Sequence, residues 1–166
     1  SKEISFLKKF KPWGVILFTR NIKDIEQTFK LTSSIRKIFN DEKYTILIDQ
    51  ESSRVNRLRN IVSFDNLTSD FFGKIYDKDL RKFKLYYKLF IDKTSYLLKL
   101  IGVNINTSPV LDLRIKGASN IIGDRSFSKN PKIVSKIGEI CINFFHDNGI
   151  GSVMKHIPGH GLAKVD

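Results

Sequence analysis

The sequence predicts an α/β fold built on a parallel sheet. Short apolar runs of strand length alternate with longer segments in which apolar residues recur every three or four positions. No two apolar runs are separated by only a two-residue hairpin turn, so the pattern gives no sign of antiparallel neighbours. Strands that alternate with helices in this way are typical of a parallel sheet covered by helices.

The first unit of this alternation covers residues 14–48. Residues 14–19 (GVILFT) form a continuous apolar run, as expected for a strand covered on both faces. Asp24 is then placed to cap a helix, with Gln27 three residues later as in a capping box. The apolar stripe of that helix is Ile25, Phe29, Thr32, Ile35 and Phe39. Residues 44–48 (YTILI) form the second predicted strand.

The remaining units follow the same pattern. Residues 65–75 carry a weak helical pattern, and a strong one over 79–101 stops at a glycine. The third strand is predicted over 103–111, a helix from Pro131 to Gly149, and the fourth strand over 150–156. The residues of the helical stripes are expected in the core, together with Trp13, Cys141 and Met154.

Length and composition are those of a globular domain. The chain has 166 residues, of which 41% are hydrophobic, and it contains one cysteine. One cysteine excludes an internal disulfide framework and is compatible with a reducing compartment. No apolar run approaches the ~20 residues of a transmembrane helix, so no membrane association is expected.

The net charge of +12 is a weak indication of nucleic-acid binding. Of the 29 basic residues 21 are lysine, and these are scattered along the chain rather than clustered. Many Lys and Ile residues beside only two Ala are also what AT-rich codons produce. Nucleic acid is therefore not expected as a partner.

Polar side chains follow each predicted strand, where a parallel α/β fold places its ligand site. The residues concerned are Arg20, Asn21, Asp49, Gln50, Glu51, Arg54, Arg57, Arg59, Asp112, Asp124, Arg125, Lys155, His156 and His160. Acids, guanidinium groups and imidazoles from four loops favour an enzyme that binds a small polar molecule. Taken singly, each has an ordinary structural interpretation: Asp49 as a loop cap, and the arginines of 54–59 as a solvated charge run.

Several other chemistries lack support. The chain has no G-x-x-x-x-G-K-[ST] or G-x-G-x-x-G loop for phosphates and no G-x-S-x-G nucleophile elbow. His156 and His160 are spaced like a helical metal pair, but Pro158 and Gly159 between them disrupt a helix. No metal and no cofactor are expected.

Five segments, in the right order, resemble those of bacterial β-N-acetylhexosaminidases of glycoside hydrolase family 3 (NagZ-type). Residues 155–161 (KHIPGHG), followed by Asp166, resemble the signature K-H-F-P-G-H-G-x4-D-[ST]-H. The other matching segments are GVILFTRNI, IDQESSRVNRLR, GVNINTSPVLDL and IGDRSFSKNP. The resemblance implies a (β/α)8 TIM-type barrel, here a partial barrel of about four β/α units.

The resemblance also implies an activity. This activity is the removal, with retention, of a terminal β-linked N-acetylglucosamine. The typical substrate is GlcNAc-anhydro-N-acetylmuramic acid, which is met during peptidoglycan recycling in the cytoplasm. The full-length enzyme is expected to be a monomer. Carried over by position, Asp49, Arg57, Arg125, Lys155 and His156 would hold the sugar. Asp166 would orient an acid/base histidine expected two residues later, and His160 would shape the loop.

The resemblance also implies which catalytic residues are not expected within residues 1–166. The expected acid/base histidine and the nucleophilic aspartate of a later strand would both lie beyond Asp166. A complete barrel takes about 250 residues, so residues 1–166 are expected to be a fragment of one catalytic domain, inactive alone. A β-glucosidase of the same family and an inactive sugar-binding homologue remain alternatives. Ser52 and Ser53 replace two glycines of the family pattern, and serine is strained wherever φ is positive.

Overall fold

The computed structural model describes residues 2–117 and 120–163 of the chain. Its centre is a sheet of four parallel strands that lie side by side in chain order. The strands are β1 (Gly14–Leu17), β2 (Thr45–Ile48), β3 (Ile105–Asn106) and β4 (Gly151–Ser152). The helices are α1 (Lys2–Phe10), α2 (Ile25–Phe39), α3 (Ser69–Lys78), α4 (Leu80–Leu100) and α5 (Pro131–Asp147). The predicted parallel α/β fold is therefore confirmed.

The helices begin where the sequence places capping residues. Asp24 accepts a hydrogen bond from the main-chain N–H of Gln27 at 2.7 Å, and Asp79 accepts one from that of Lys82 at 3.0 Å. The Gln27 side chain accepts from the N–H of Lys23 rather than from that of the cap residue, so the predicted capping box is displaced by one residue. Pro131 stands in the first turn of α5, as predicted.

The third and fourth strands are shorter than the apolar runs that predict them. Within the described residues, one further bridge forms after β3 and β4, between Val110 and Lys155. An asparagine side chain replaces part of the main-chain hydrogen bonding between β2 and β3. Oδ1 of Asn106 accepts from the N–H of Gln50 at 3.0 Å, and Nδ2 of Asn106 donates to the carbonyl of Gln50 at 2.8 Å. Pro109, which has no N–H to give, lies between β3 and that bridge.

The core lies between the sheet and the helices. Its largest fully buried side chains include Phe72, Phe83 and Phe145, with Ile46 and Ile48 from the sheet. Cys141 is buried as predicted, and burial raises the pKa of its thiol to about 11, which leaves it unreactive at neutral pH.

Three residues predicted for the core are exposed instead. Trp13 is 75% exposed and directly precedes β1, and Met154 is 47% exposed and lies two residues after β4. These are the outer strands of the sheet in the described part of the chain. Phe29 is 50% exposed because it lies outside the buried face of α2. Helix α1 was not predicted. None of the described helices is both long and apolar enough to cross a membrane.

Candidate functional site

The carboxyl ends of three neighbouring strands bring polar side chains together around Asp49. This residue directly follows β2, and its Oδ1 accepts a hydrogen bond at 2.9 Å from Thr107, which follows β3. Its Oδ2 accepts one at 2.8 Å from Nη2 of Arg57. Lys155, from the segment after β4, contacts Oδ1 with its ammonium group. The parallel register therefore gathers residues from three loops on one carboxylate.

Glu51 extends this cluster to a fourth segment. Its Oε1 lies 2.7 Å from Nζ of Lys155. It also binds Arg125 in a bidentate manner, with Nε to Oε2 and Nη2 to Oε1 both at 2.8 Å. The side chains of Glu51, Lys155 and Arg125 are only 5%, 13% and 14% exposed. The result is an ion-pair chain of alternating charge, composed of Arg57, Asp49, Lys155, Glu51 and Arg125.

The loops on either side hold the two outer arginines in place. Arg125 ends a single 3-10 turn over Gly123–Arg125. Arg54 fixes that loop by donating to the carbonyl groups of residues 120, 121 and 122 and by pairing with Asp124 at 2.9 Å. At the other end, the guanidinium of Arg57 stacks over the ring of Phe18 at 5.3 Å. The arginines of 54–59 are therefore bonded within the loops rather than forming a solvated run.

Burial affects the charge of the central lysine. It lowers the pKa of Lys155 to about 8. The neighbouring carboxylates of Asp49 and Glu51 favour the charged form and oppose that effect. Lys155 is therefore protonated at neutral pH and titrates close to physiological conditions.

His156 lies next to the ion-pair chain and is held by Asp112. Nδ1 of His156 is 2.5 Å from Oδ2 of Asp112, whose side chain is fully buried, and the main-chain N–H of His160 donates to Oδ1. Burial alone would raise the pKa of Asp112, but the hydrogen bonds from His156 and His160 outweigh it and hold that pKa below its usual value. The ring centres of the two histidines are 5.5 Å apart.

A cavity of about 430 Å³ adjoins the histidines between the 156–162 segment and α5. It shares Asp112 and His156 with the site, but most of the rest of its lining is apolar and includes Leu111, Leu113 and Val134. A sugar requires several polar partners, which the ion-pair chain offers and this cavity does not. The candidate binding site is therefore the ion-pair chain and not this cavity.

The structure brings the predicted residues together. Asp49, Arg57, Arg125 and Lys155 form one connected cluster, with His156 directly beside it. His160 faces His156, and Asp166 lies outside the described residues. The prediction gave no role to Glu51 or Asp112. Two sequence signals mark them: their positions after β2 and β3, and their place within the family segments IDQESSRVNRLR and GVNINTSPVLDL. In the described part of the chain, no group of three His, Cys, Asp or Glu side chains is arranged to hold a metal ion.

The predicted strain falls on one of the two serines. Ser53 has a φ of 41°, in the left-handed region that favours glycine, whereas Ser52 has a φ of −150° and is extended. Ser53 begins the 3-10 turn that carries Arg54. The loop thus keeps its conformation with serine at the cost of strain at one residue.

Fold and site together define a class: a parallel α/β domain that presents a charged site for hydrogen bonding at the carboxyl ends of its strands. The profile of the glycosyl hydrolase family 3 N terminal domain matches residues 1–166. The chain therefore belongs to glycosyl hydrolase family 3.

Individual relatives agree with this assignment. A beta-hexosaminidase of Hydrogenovibrio crunogenus is 36% identical over 154 residues, which are 92% of this chain and 42% of that protein. The native structure of NagZ from Neisseria gonorrhoeae superposes with a TM-score of 0.84 at 30% identity, over 97% of this chain and 46% of that one. The same enzyme in complex with N-trifluoroacetyl-D-glucosamine gives a TM-score of 0.83 at 29% identity, over 97% and 48%. This chain thus spans less than half the length of these relatives.

Proposed function

We propose that this chain supplies the sugar-binding part of a family 3 β-N-acetylhexosaminidase, which removes terminal β-linked N-acetylglucosamine with retention. The observation that carries the proposal is the ion-pair chain, because it joins four of the residues expected to hold the sugar at the carboxyl ends of the strands. Beta-hexosaminidases among the relatives, and a neighbour bound to an N-acylated glucosamine, support the choice of sugar.

The chemistry of these residues suits sugar hydroxyl groups. Carboxylates only accept hydrogen bonds, whereas Lys and Arg only donate them, so an alternating row offers both kinds of partner to neighbouring hydroxyls. Asp49, Arg57, Arg125 and Lys155 would bind the ring, and His156, oriented by Asp112, would add an imidazole nitrogen. In this proposal His160 shapes the loop and Asp166 orients a histidine that follows it.

We propose peptidoglycan fragments, such as GlcNAc-anhydro-N-acetylmuramic acid, as substrates, and cell-wall recycling in the cytoplasm as the role of a monomeric enzyme. We also propose that residues 1–166 form part of a single (β/α)8 catalytic domain. The four strands in chain order and the partial coverage of the relatives support that arrangement.

The test uses the full gene product, meaning this chain with whatever its gene encodes on either side. We expect 4-nitrophenyl β-N-acetylglucosaminide to be hydrolysed with a higher kcat/KM than the matching β-glucoside. NMR of the first sugar released should show the β anomer. Better hydrolysis of the glucoside would assign the chain to a β-glucosidase. Binding of N-acetylglucosamine without turnover of either glycoside would assign it to an inactive sugar-binding homologue.

A further inference from the structure

We propose that Glu51 is a positioning residue for the sugar site: its one carboxylate fixes both the Arg125 guanidinium and the Lys155 ammonium. The inference rests on the proposed function, and it adds a residue to which the sequence gives no role. Glu51 differs from the expected sugar ligands in its burial, because its side chain is only 5% exposed.

Both oxygens of Glu51 are engaged by the two cations. Oε2 accepts from Nε of Arg125 at 2.8 Å, and Oε1 accepts from Nη2 of the same residue, also at 2.8 Å. Lys155 approaches Oε1 as well, at 2.7 Å. A carboxylate with these partners is occupied within the protein. Its effect on a sugar is therefore indirect, through the direction and charge of Arg125 and Lys155.

The position of Glu51 in the fold explains why both cations depend on it. Glu51 follows β2, Arg125 stands in the long loop before α5, and Lys155 lies after β4. The carboxylate therefore joins three separate segments at the carboxyl end of the sheet. The two cations both lie within 2.8 Å of the same oxygen, so without the negative charge they would repel each other across a poorly solvated gap.

The experiment compares Glu51→Gln with the unchanged full gene product. Glutamine keeps the shape of the side chain but loses its charge. Its NH2 group is a donor and would face the N–H donors of Arg125 or Lys155. We expect the KM for 4-nitrophenyl β-N-acetylglucosaminide to rise at least about tenfold, since hydrogen bonds between charged groups are stronger than those between neutral groups. We also expect the alkaline loss of affinity to begin at lower pH, because Lys155 loses one of its two carboxylate neighbours.

The matched control is Glu26→Gln. Glu26 also pairs with a lysine, Lys30, but its side chain is 79% exposed on α2. We expect KM and the pH profile to stay unchanged in this variant. A general effect of replacing glutamate by glutamine would change KM and the pH profile in both variants. A positioning role of Glu51 changes them only in Glu51→Gln.

A second readout does not depend on activity. The titration of the Lys155 ammonium, followed by NMR of labelled lysine, should move to lower pH in Glu51→Gln. An unmoved titration, or an unchanged KM in the folded variant, would overturn the positioning role. Absence of hydrolysis by the unchanged protein would instead refute the proposed function, and the lysine titration would still decide the role of Glu51.

If Glu51→Gln does not fold, Glu51→Asp takes its place. Aspartate keeps the charge but is one methylene shorter, so it cannot reach Arg125 and Lys155 together. We expect a raised KM with the alkaline limb close to that of the unchanged protein. A KM equal to that of the unchanged protein would show that the two cations do not need the reach of Glu51.

Discussion

At the scale of single residues, the charge of Lys155 links the site to pH. Because burial lowers its pKa to about 8, Lys155 is an ammonium below that pH and increasingly a neutral amine above it. The neutral amine is a weaker donor, and it leaves Asp49 and Glu51 with one cationic neighbour each, Arg57 and Arg125. We therefore predict that the KM of the full gene product for N-acetylglucosaminides rises as the pH passes through about 8.

The check is a series of KM measurements between pH 6 and pH 10, with and without Lys155→Met. The variant should bind weakly throughout and lose the dependence near pH 8. The same rise in both proteins would assign that titration to another group.

Asp112 holds both histidines of the site with its own buried carboxylate. It accepts from Nδ1 of His156 and from the N–H of His160, and an asparagine would accept through one oxygen only. We predict that Asp112→Asn lowers the free energy of unfolding by ~1–3 kcal/mol and raises KM, since one buried donor is left unpaired. Denaturant unfolding and steady-state kinetics measure the two effects.

The control for Asp112→Asn is Asp65→Asn at the surface. Asp65 accepts from the hydroxyl of Ser63 at 2.6 Å in an exposed loop. We expect the free energy of unfolding of this variant to change by no more than ~0.5 kcal/mol and its KM to stay the same. Equal losses in the two variants would contradict a special role for the buried carboxylate.

At the scale of elements, the turn after β2 contains stored strain that can be removed. Ser53 has a φ of 41°, so Ser53→Gly is predicted to raise the free energy of unfolding by up to ~1 kcal/mol. Ser52→Gly is the matched control, because its φ of −150° suits any residue and glycine there only adds entropy to the unfolded chain. Denaturant unfolding should thus give opposite signs for neighbouring serines. A loss of stability in both would mean that the strain at Ser53 is negligible.

The elements also show how far local sequence patterns reach. Helices α2, α4 and α5 were predicted because caps and helical stripes are local signals. The lengths of β3 and β4 were not, because an apolar run reports burial and not which main-chain groups pair. The role of Glu51 was not predicted for a related reason, since its partner Arg125 lies 74 residues away and only the fold brings them together. Asp49, Arg57, Arg125 and Lys155 belong to the larger set of polar residues around the predicted strand ends, and the family segments are what selected them as sugar ligands.

At the scale of the whole molecule, the outer strands of the sheet expose apolar surface. In the described part of the chain β1 pairs only with β2, and β4 only with β3. Trp13 and Ile16 are exposed at the first edge, and Val153 and Met154 at the second. Open parallel edges flanked by apolar side chains favour association with other chains. This surface, rather than the net charge, is therefore expected to govern how residues 1–166 behave in solution.

We therefore predict that residues 1–166, expressed alone, self-associate and do not hydrolyse 4-nitrophenyl β-N-acetylglucosaminide. Sedimentation velocity across a concentration series measures the association. Ile16→Lys at the β1 edge should reduce it, because a charged residue on an edge strand opposes pairing. Leu85→Lys, at an apolar position on α4 that is also exposed, should reduce it less. A monomer at every concentration would show that the edges are protected in solution. Turnover by residues 1–166 would show that the catalytic groups lie within this chain and not beyond Asp166.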